Sequence, residues 1–297
     1  MSSSNDTPLN ATPLRPDSRQ KPPPSSKNFN QIVYTPSPSG IDSNLLLILH
    51  GLGDTSDSFL SLSTTLQKTL PQTAIVIIQG ARRIPILPEK AFSYWDTITP
   101  LGEVIDEARQ DPRKWLEAFD TWIREEVTGR CGWNSEDVHL FGFGQGGTAA
   151  VEGVLYCEKQ RRAQKEASIK FGSVVSVCGS LLSVSSLPTV ALLTLLRGLT
   201  VLPPLLVPQF PTLNPLISTP LLHFHRNPSP AHPLHNTLKR AFASITTVNK
   251  PLPSAPESMP KGKEWDEIML FWSGPAQWRN RTKWELDEGG QDVFVVG

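Results

Sequence analysis

The chain is poor in cysteine: three in 297 residues, Cys131, Cys157 and Cys178. Their odd number and wide spacing argue against a disulfide framework and a thiolate metal site. They fit a reducing compartment, so a cytoplasmic location is expected. Charge imbalance is lacking too. Lys+Arg and Asp+Glu both number 28, for a formal net charge of +0. Nothing basic therefore points to nucleic acid or an anionic membrane surface. The N-terminus carries no apolar signal segment. The longest apolar stretch, 187–218, is broken by Pro188, Pro203, Pro204, Pro208, Pro211 and Pro215 and carries Arg197. No transmembrane segment is expected. Two further scarcities matter below. No histidine follows His235, and no aspartate lies between Asp137 and Asp266. No short-period repeat is present.

What the chain does contain is unevenly spread. Residues 1–40 hold eight Pro and eight Ser. Such a composition buries too little apolar surface to offset its ordering entropy, so residues 1–30 read as a disordered tail. The folded domain is expected over 31–275, with an apolar insertion at about 187–218 and a C-terminal extension over 276–297. The insertion reads as an irregular packed segment or as a lid beside an acyl-binding pocket.

Within the domain, "NLLLILHGLGD" (44–54) and "TAIVIIQGA" (73–81) begin with continuous apolar runs of strand length, the pattern of strands covered on both faces. A helix-length segment, 56–69, separates them. Residues 114–127 place Trp115, Ala118, Phe119, Trp122 and Ile123 on one face of an amphipathic helix. A strand at 138–142, a glycine turn and a helix over about 145–164 follow, then strands at 172–179 and 220–225. Residues 250–262 read as a loop before a helix at 263–272. Strands alternating with helices give an α/β fold: a doubly wound, mainly parallel sheet with helices on both faces.

Three blocks, "LLLILHGLGDTSDSF" (45–59), "SYWDT" (93–97) and "EDVHLFGFGQGGTAAVEG" (136–153), resemble the phospholipase/carboxylesterase family of α/β-hydrolases, which includes acyl-protein thioesterases and lysophospholipases. The resemblance covers about residues 30–180 and, more loosely, 219–272. It implies the α/β-hydrolase fold and hydrolysis of carboxylic esters or thioesters. It also implies a nucleophile elbow bounded by Gly142 and Gly146, where a serine is held on a strained strand–turn–helix. The oxyanion hole would then be formed by the backbone N–H groups of Leu52 and Gln145. His50, Gly51, Gly53 and Asp54 belong to the first block, and Trp95 and Asp96 to the second. Glycines in such turns also serve packing alone.

The nucleophile position itself holds Gly144, which has no side chain to attack with. Thr148 lies one helical turn on. The stretch "HFHRNPSPAHP" (223–233) stands where the family has H-G-D-x-D-P, placing Ser229 at the acid position and Asn227 at the other aspartate. The family's histidine would fall in 256–265, where there is none. All three triad members are therefore absent. A rearranged site remains open, drawing on His50, His223, His225 and Asp54 near the strand ends, with Cys178 or Ser180 after another strand. Cys178 also reads as an inert core thiol. His223 and His225 are expected on opposite faces of their strand, and His232 and His235 at the surface or a helix start. No metal site or cofactor is expected. The reading is a catalytically impaired phospholipase/carboxylesterase/thioesterase-like protein that retains binding of an acyl or ester small molecule, or of an acylated protein. The alternative is an active carboxylic ester or palmitoyl-protein thioester hydrolase with a non-standard nucleophile.

Overall fold

The computed structural model describes residues 20–84, 87, 89–106, 109–179, 181–182, 213–226, 237–251, 258–274 and 278–279. Its strands in chain order are β1 (Ile32–Thr35), β2 (Asn44–Leu49), β3 (Thr73–Ile78), β4 (Arg82–Arg83), β5 (Phe92–Ser93), β6 (Val138–Phe143), β7 (Ser173–Val177), β8 (Leu221–His225) and β9 (Ile245–Asn249). Among the described residues seven of them form one sheet, ordered β1-β3-β2-β6-β7-β8-β9. Six run parallel, and β1 pairs antiparallel with β3 at one edge. This is the α/β-hydrolase architecture that the three sequence blocks imply.

The sheet is buried on both faces because helices cover each. On one face Leu45, Leu47 and Leu49 meet α2 (Arg113–Trp122) and α3 (Gln145–Ala163). On the other, Leu46 and Ile48 meet α1 (Leu60–Thr69) and α4 (Trp265–Trp272). Every residue of β2 and β3 is buried, which is why these strands read as continuous rather than alternating apolar runs. The stripe on α2 buries Trp115, Phe119, Trp122 and Ile123, with Trp115 stacked on Phe119 at 4.9 Å between ring centroids.

Several boundaries differ from the sequence reading. The described chain begins at Gln20, not at 31, and residues 21–29 pack on the domain; residues 1–19 of the expected tail lie outside the described residues. β9 was not anticipated. Its IleThrThrVal core alternates weakly and is mostly exposed or half-buried on the sheet's second edge. The helix expected at 114–127 changes pitch midway, continuing from α2 as a π-helix over Ile123–Arg130. The insertion at 187–218 lies outside the described residues up to 212. From there residues 213–219 lead into β8, with Ile217 bridging Phe242. Part of the C-terminal extension is held on the domain. The Asn44 side chain exchanges hydrogen bonds of 2.6 and 2.9 Å with the Arg279 backbone, and Trp278 stacks on His139 at 4.2 Å. No helix among the described residues is long and apolar enough to cross a membrane.

His139 lies fully buried on β6, bonded through Nδ1 to the Ser173 hydroxyl at 2.9 Å. Burial holds its imidazole down at about 3 and also lowers that of His50. An unfolded chain takes up protons on both near pH 6.5, whereas the folded chain does so only at lower pH. The histidines' contribution to stability is therefore full above pH 6.5 and falls below it, for His139 until about pH 3. Glu126 and Glu264, held at about 2 by Arg130 and Arg226 respectively, lose their contribution as pH falls from 4.5 to about 2. The window from pH 6.5 to 5 thus isolates the histidines. Replacing His139 with Gln is expected to flatten the stability–pH slope there by up to one proton, about 1.4 kcal/mol per pH unit. Urea melts at three pH values check this, and an unchanged slope would contradict it.

Candidate active site at the strand–helix elbow

β6 ends at Phe143 and α3 begins at Gln145, so a single residue turns the chain. That residue is Gly144, at φ 53°, ψ −121°, a combination that residues with a Cβ rarely adopt. The turn is packed backbone against backbone. A Cβ on Gly142 would lie 2.2 Å from the Gly146 carbonyl oxygen. One on Gly146 would lie 2.3 Å from the oxygen of Leu49 and 2.4 Å from that of His50. The Gly144 N–H donates to the Val177 carbonyl at 2.8 Å, and its own carbonyl accepts from the Thr148 N–H at 3.1 Å. Thr148 thus meets the elbow through its main chain.

The loop after β2 lies beside this turn, as the close contact of Gly146 with Leu49 and His50 requires. Gly53 donates to the Phe92 carbonyl at 2.9 Å and Phe92 donates to the Asp54 carbonyl at 3.1 Å, while Asp54 N–H closes back on Gly51 at 3.1 Å. Leu52 stands at the loop's crest, 47% exposed. Gly51 faces the Phe143 ring, where a Cβ would come within 2.8 Å.

Gln145 contributes more than the backbone N–H considered from sequence. Its side-chain oxygen accepts from the Tyr94 N–H at 2.9 Å and its amide donates to the Trp95 carbonyl at 3.3 Å. Trp95, itself buried, donates its indole N–H to Gln110 at 2.8 Å. The second sequence block is therefore a buttress for the start of α3. Asp96 points away to an exposed ion pair with Arg82 at 3.7 Å. Only the pairing of a Gln after the elbow with a buried Trp in that block signals the buttress in sequence.

Among the described residues, His50 and His223 are each bonded to the main chain. His50 is fully buried. Its Nε2 accepts from the Gly80 N–H at 2.9 Å, so Nδ1 carries the proton and donates to the Gly51 carbonyl at 2.7 Å. With both ring nitrogens engaged and the cation disfavoured by burial, His50 holds the loop. His223 donates from Nε2 to the Gly179 carbonyl at 2.9 Å. The expectation that His223 and His225 face opposite sides fails. Residues two apart on a strand share a face, and their rings stack at 5.1 Å.

Beyond β7 the chain turns through Cys178 at φ 58°. This residue is half-buried, not sealed in the core as an inert thiol would be, and its Sγ lies 3.9 Å from the Ser258 carbonyl. Gly179 follows, close enough to α3 that a Cβ would meet the Thr148 nitrogen at 2.3 Å. Arg226 occupies the position of the family's glycine in H-G-D-x-D-P. Its side chain is 3% exposed and grips both carboxylate oxygens of Glu264 at 2.6 Å, with a further bond to the Met259 carbonyl at 3.0 Å. An ion pair thus joins the two segments in which the sequence resemblance places the acid and histidine positions. Ser180, Asn227, Ser229, His232 and His235 lie outside the described residues. Among the described residues no three His, Cys, Asp or Glu side chains are grouped to hold a metal ion.

Residues 30–194 match the profile of the Phospholipase/Carboxylesterase family. The chain belongs to that family. An uncharacterized hydrolase of Mycosarcoma maydis is 34% identical over 263 residues, spanning 87% of this chain and 86% of that protein. Two solved structures share the fold. One is esterase PE8, with a TM-score of 0.53 at 13% identity, covering 80% of this chain and 95% of its own. The other is the Zea mays acyl-protein thioesterase 2, with a TM-score of 0.50 at 17% identity, covering 82% and 98%.

Because the atoms a Cβ on Gly146 would strike are main chain on both sides, they cannot swing aside. Substitution Gly146→Ala is expected to cost about 3 kcal/mol or more, the upper range of overpacking. Denaturant melts measure this, and a loss below about 1 kcal/mol would show that the elbow and the β2 loop are not locked together.

Proposed function

We propose that this family member binds an acyl or ester group, on a small molecule or an acylated protein, without turning it over at an enzyme's rate. The observation that carries the proposal is Gly144 standing alone at the turn between β6 and α3. The support a nucleophile would need is kept there and the nucleophile is not. In this reading the Leu52 and Gln145 N–H groups receive the carbonyl oxygen of the bound group, and the Gln145–Trp95 buttress fixes the start of α3 that presents one of them. The commitment of His50 to Gly80 and Gly51 and the Arg226–Glu264 pair support the same reading. The groups that would relay protons in a working triad are replaced or otherwise bonded.

The competing reading is an ester or thioester hydrolase with another nucleophile. Cys178 is its candidate, on the strength of its half-buried rather than sealed position and its left-handed backbone. One set of assays separates the two. On a short-chain ester and a palmitoyl thioester, hydrolysis at background is expected, together with saturable binding of a non-hydrolysable thioether analogue. Turnover above about 1 s⁻¹, abolished by Cys178→Ala, would establish the competing reading.

Gly144→Ser alone is expected to raise ester hydrolysis by less than about a hundredfold, because an unassisted serine stays protonated and general-base help is worth about that much or more. A larger gain would reveal a base already poised at the elbow. Mass spectrometry of the variant after exposure to a fluorophosphonate provides the parallel measurement, with slow labelling expected.

A further inference from the structure

Residues ahead of β1, expected in the tail, lie against α2 and its continuation. Residues Lys21–Ser25, "KPPPS", cross the π-helical continuation Ile123–Arg130. Three consecutive prolines fix φ and restrict each preceding residue, leaving polyproline II as the favoured form, with three residues per turn. The burial pattern has that period. Lys21 is half-buried, Pro22 and Pro23 are exposed, and Pro24 is buried. Residues 21 and 24 therefore share the edge that meets the domain.

The groove reads both the side chains and the main chain of this segment. Lys21 lies over the Trp133 ring, its Nζ 5.2 Å from the centroid, and donates to the Gly132 carbonyl at 2.8 Å. Its N–H donates to the buried Asp42 carboxylate at 2.7 Å. The Trp122 indole donates to the Ser25 carbonyl at 2.8 Å and the Arg130 guanidinium to the Pro23 carbonyl at 2.6 Å. The Ser25 N–H donates to Glu126, whose carboxylate Arg130 also holds. Phe29 closes the far end against Trp122 at 5.3 Å. An aromatic floor, an indole N–H aimed at a carbonyl and a cationic side chain laid over a ring make up the chemistry by which proline-rich segments are recognised. The π-helix is a second, independent mark. Such turns are rare and concentrate at functional positions, and this one carries Glu126 and Arg130, two of the groups that contact the segment.

We propose that this groove is a recognition site for proline-rich segments with a basic residue ahead of the prolines, and that residues 21–25 are its resident ligand. A segment of the same chemistry on another protein competes with the strap for Trp122, Trp133, Glu126 and Arg130. None of these residues belongs to the elbow, so the inference is independent of what happens at Gly144.

The test uses the full chain and a fluorescein-labelled peptide of sequence QKPPPSSK. In the wild type the tethered strap competes at an effective concentration in the millimolar range. The double variant Lys21→Glu, Pro24→Asp removes the cation from Trp133 and puts a charge in the buried proline's place, which frees the groove. The peptide is expected to bind this variant at least tenfold more tightly than the wild type, and a peptide carrying the same two changes is expected not to bind. Unimproved binding to a variant that keeps its wild-type far-ultraviolet spectrum would overturn the proposal. Hydrogen exchange on the wild type gives a reading that needs no unmasked groove. The Ser25 amide and Trp122 indole should be protected, and Arg130→Ala should speed exchange of the Ser25 amide at least tenfold. Exchange of the Ser25 amide at the free-coil rate in the wild type would equally overturn it.

Discussion

Everything at the candidate site depends on main chain touching main chain. Gly142, Gly146 and the end of β2 approach so closely that no Cβ fits between them. Hydrogen bonds then fasten each neighbouring segment to this contact. Gly144 is tied to Val177 on β7, Gln145 to Tyr94 and Trp95, and His50 to Gly80 after β3. A turn supported from four directions keeps its shape without help from a nucleophile's own interactions. This is why the turn holds its geometry with a glycine at position 144.

The fold was legible because burial on two faces writes itself plainly into sequence. Leu45–Leu49 and Ala74–Ile78 are apolar without interruption, and only a covered parallel strand tolerates that. Where one side of a strand is open the signal fades, and β9 escaped notice for that reason. The strap at residues 21–25 was missed on different grounds. Composition measures how much apolar surface a segment can bury, and proline-rich segments dock instead through carbonyls and one or two side chains. Nor does residue type reveal a change from α to π pitch, since the same hydrophobic stripe serves both until Ile123.

At the site, sequence located the glycines and the loop but not their partners. Gln145 was valued for its N–H, whereas its side chain spans to the Trp95 segment. The alternation of His223 and His225 was misjudged by one residue, and a single step moves every side chain to the other face. Arg226 could not have been assigned a role without seeing Glu264, 38 residues on. Buried guanidinium–carboxylate pairs hold segments in register more than they add net stability, because desolvation offsets much of their attraction. Here the pair joins the chain after β8 to the start of α4.

The backbone at position 144 also has a historical consequence. A side chain held at φ 53°, ψ −121° carries strain of about 1–3 kcal/mol, which an active enzyme sustains because selection on turnover demands it. Glycine is at ease there. On the proposed function, exchange of a side-chain-bearing nucleophile for this glycine relaxes the fold at the same step that ends the chemistry. On that reading, changes at the acid and base positions have no activity to protect. Return is then uphill in stability from the first substitution and rewarded only after the last, so the proposed function makes the elbow a ratchet.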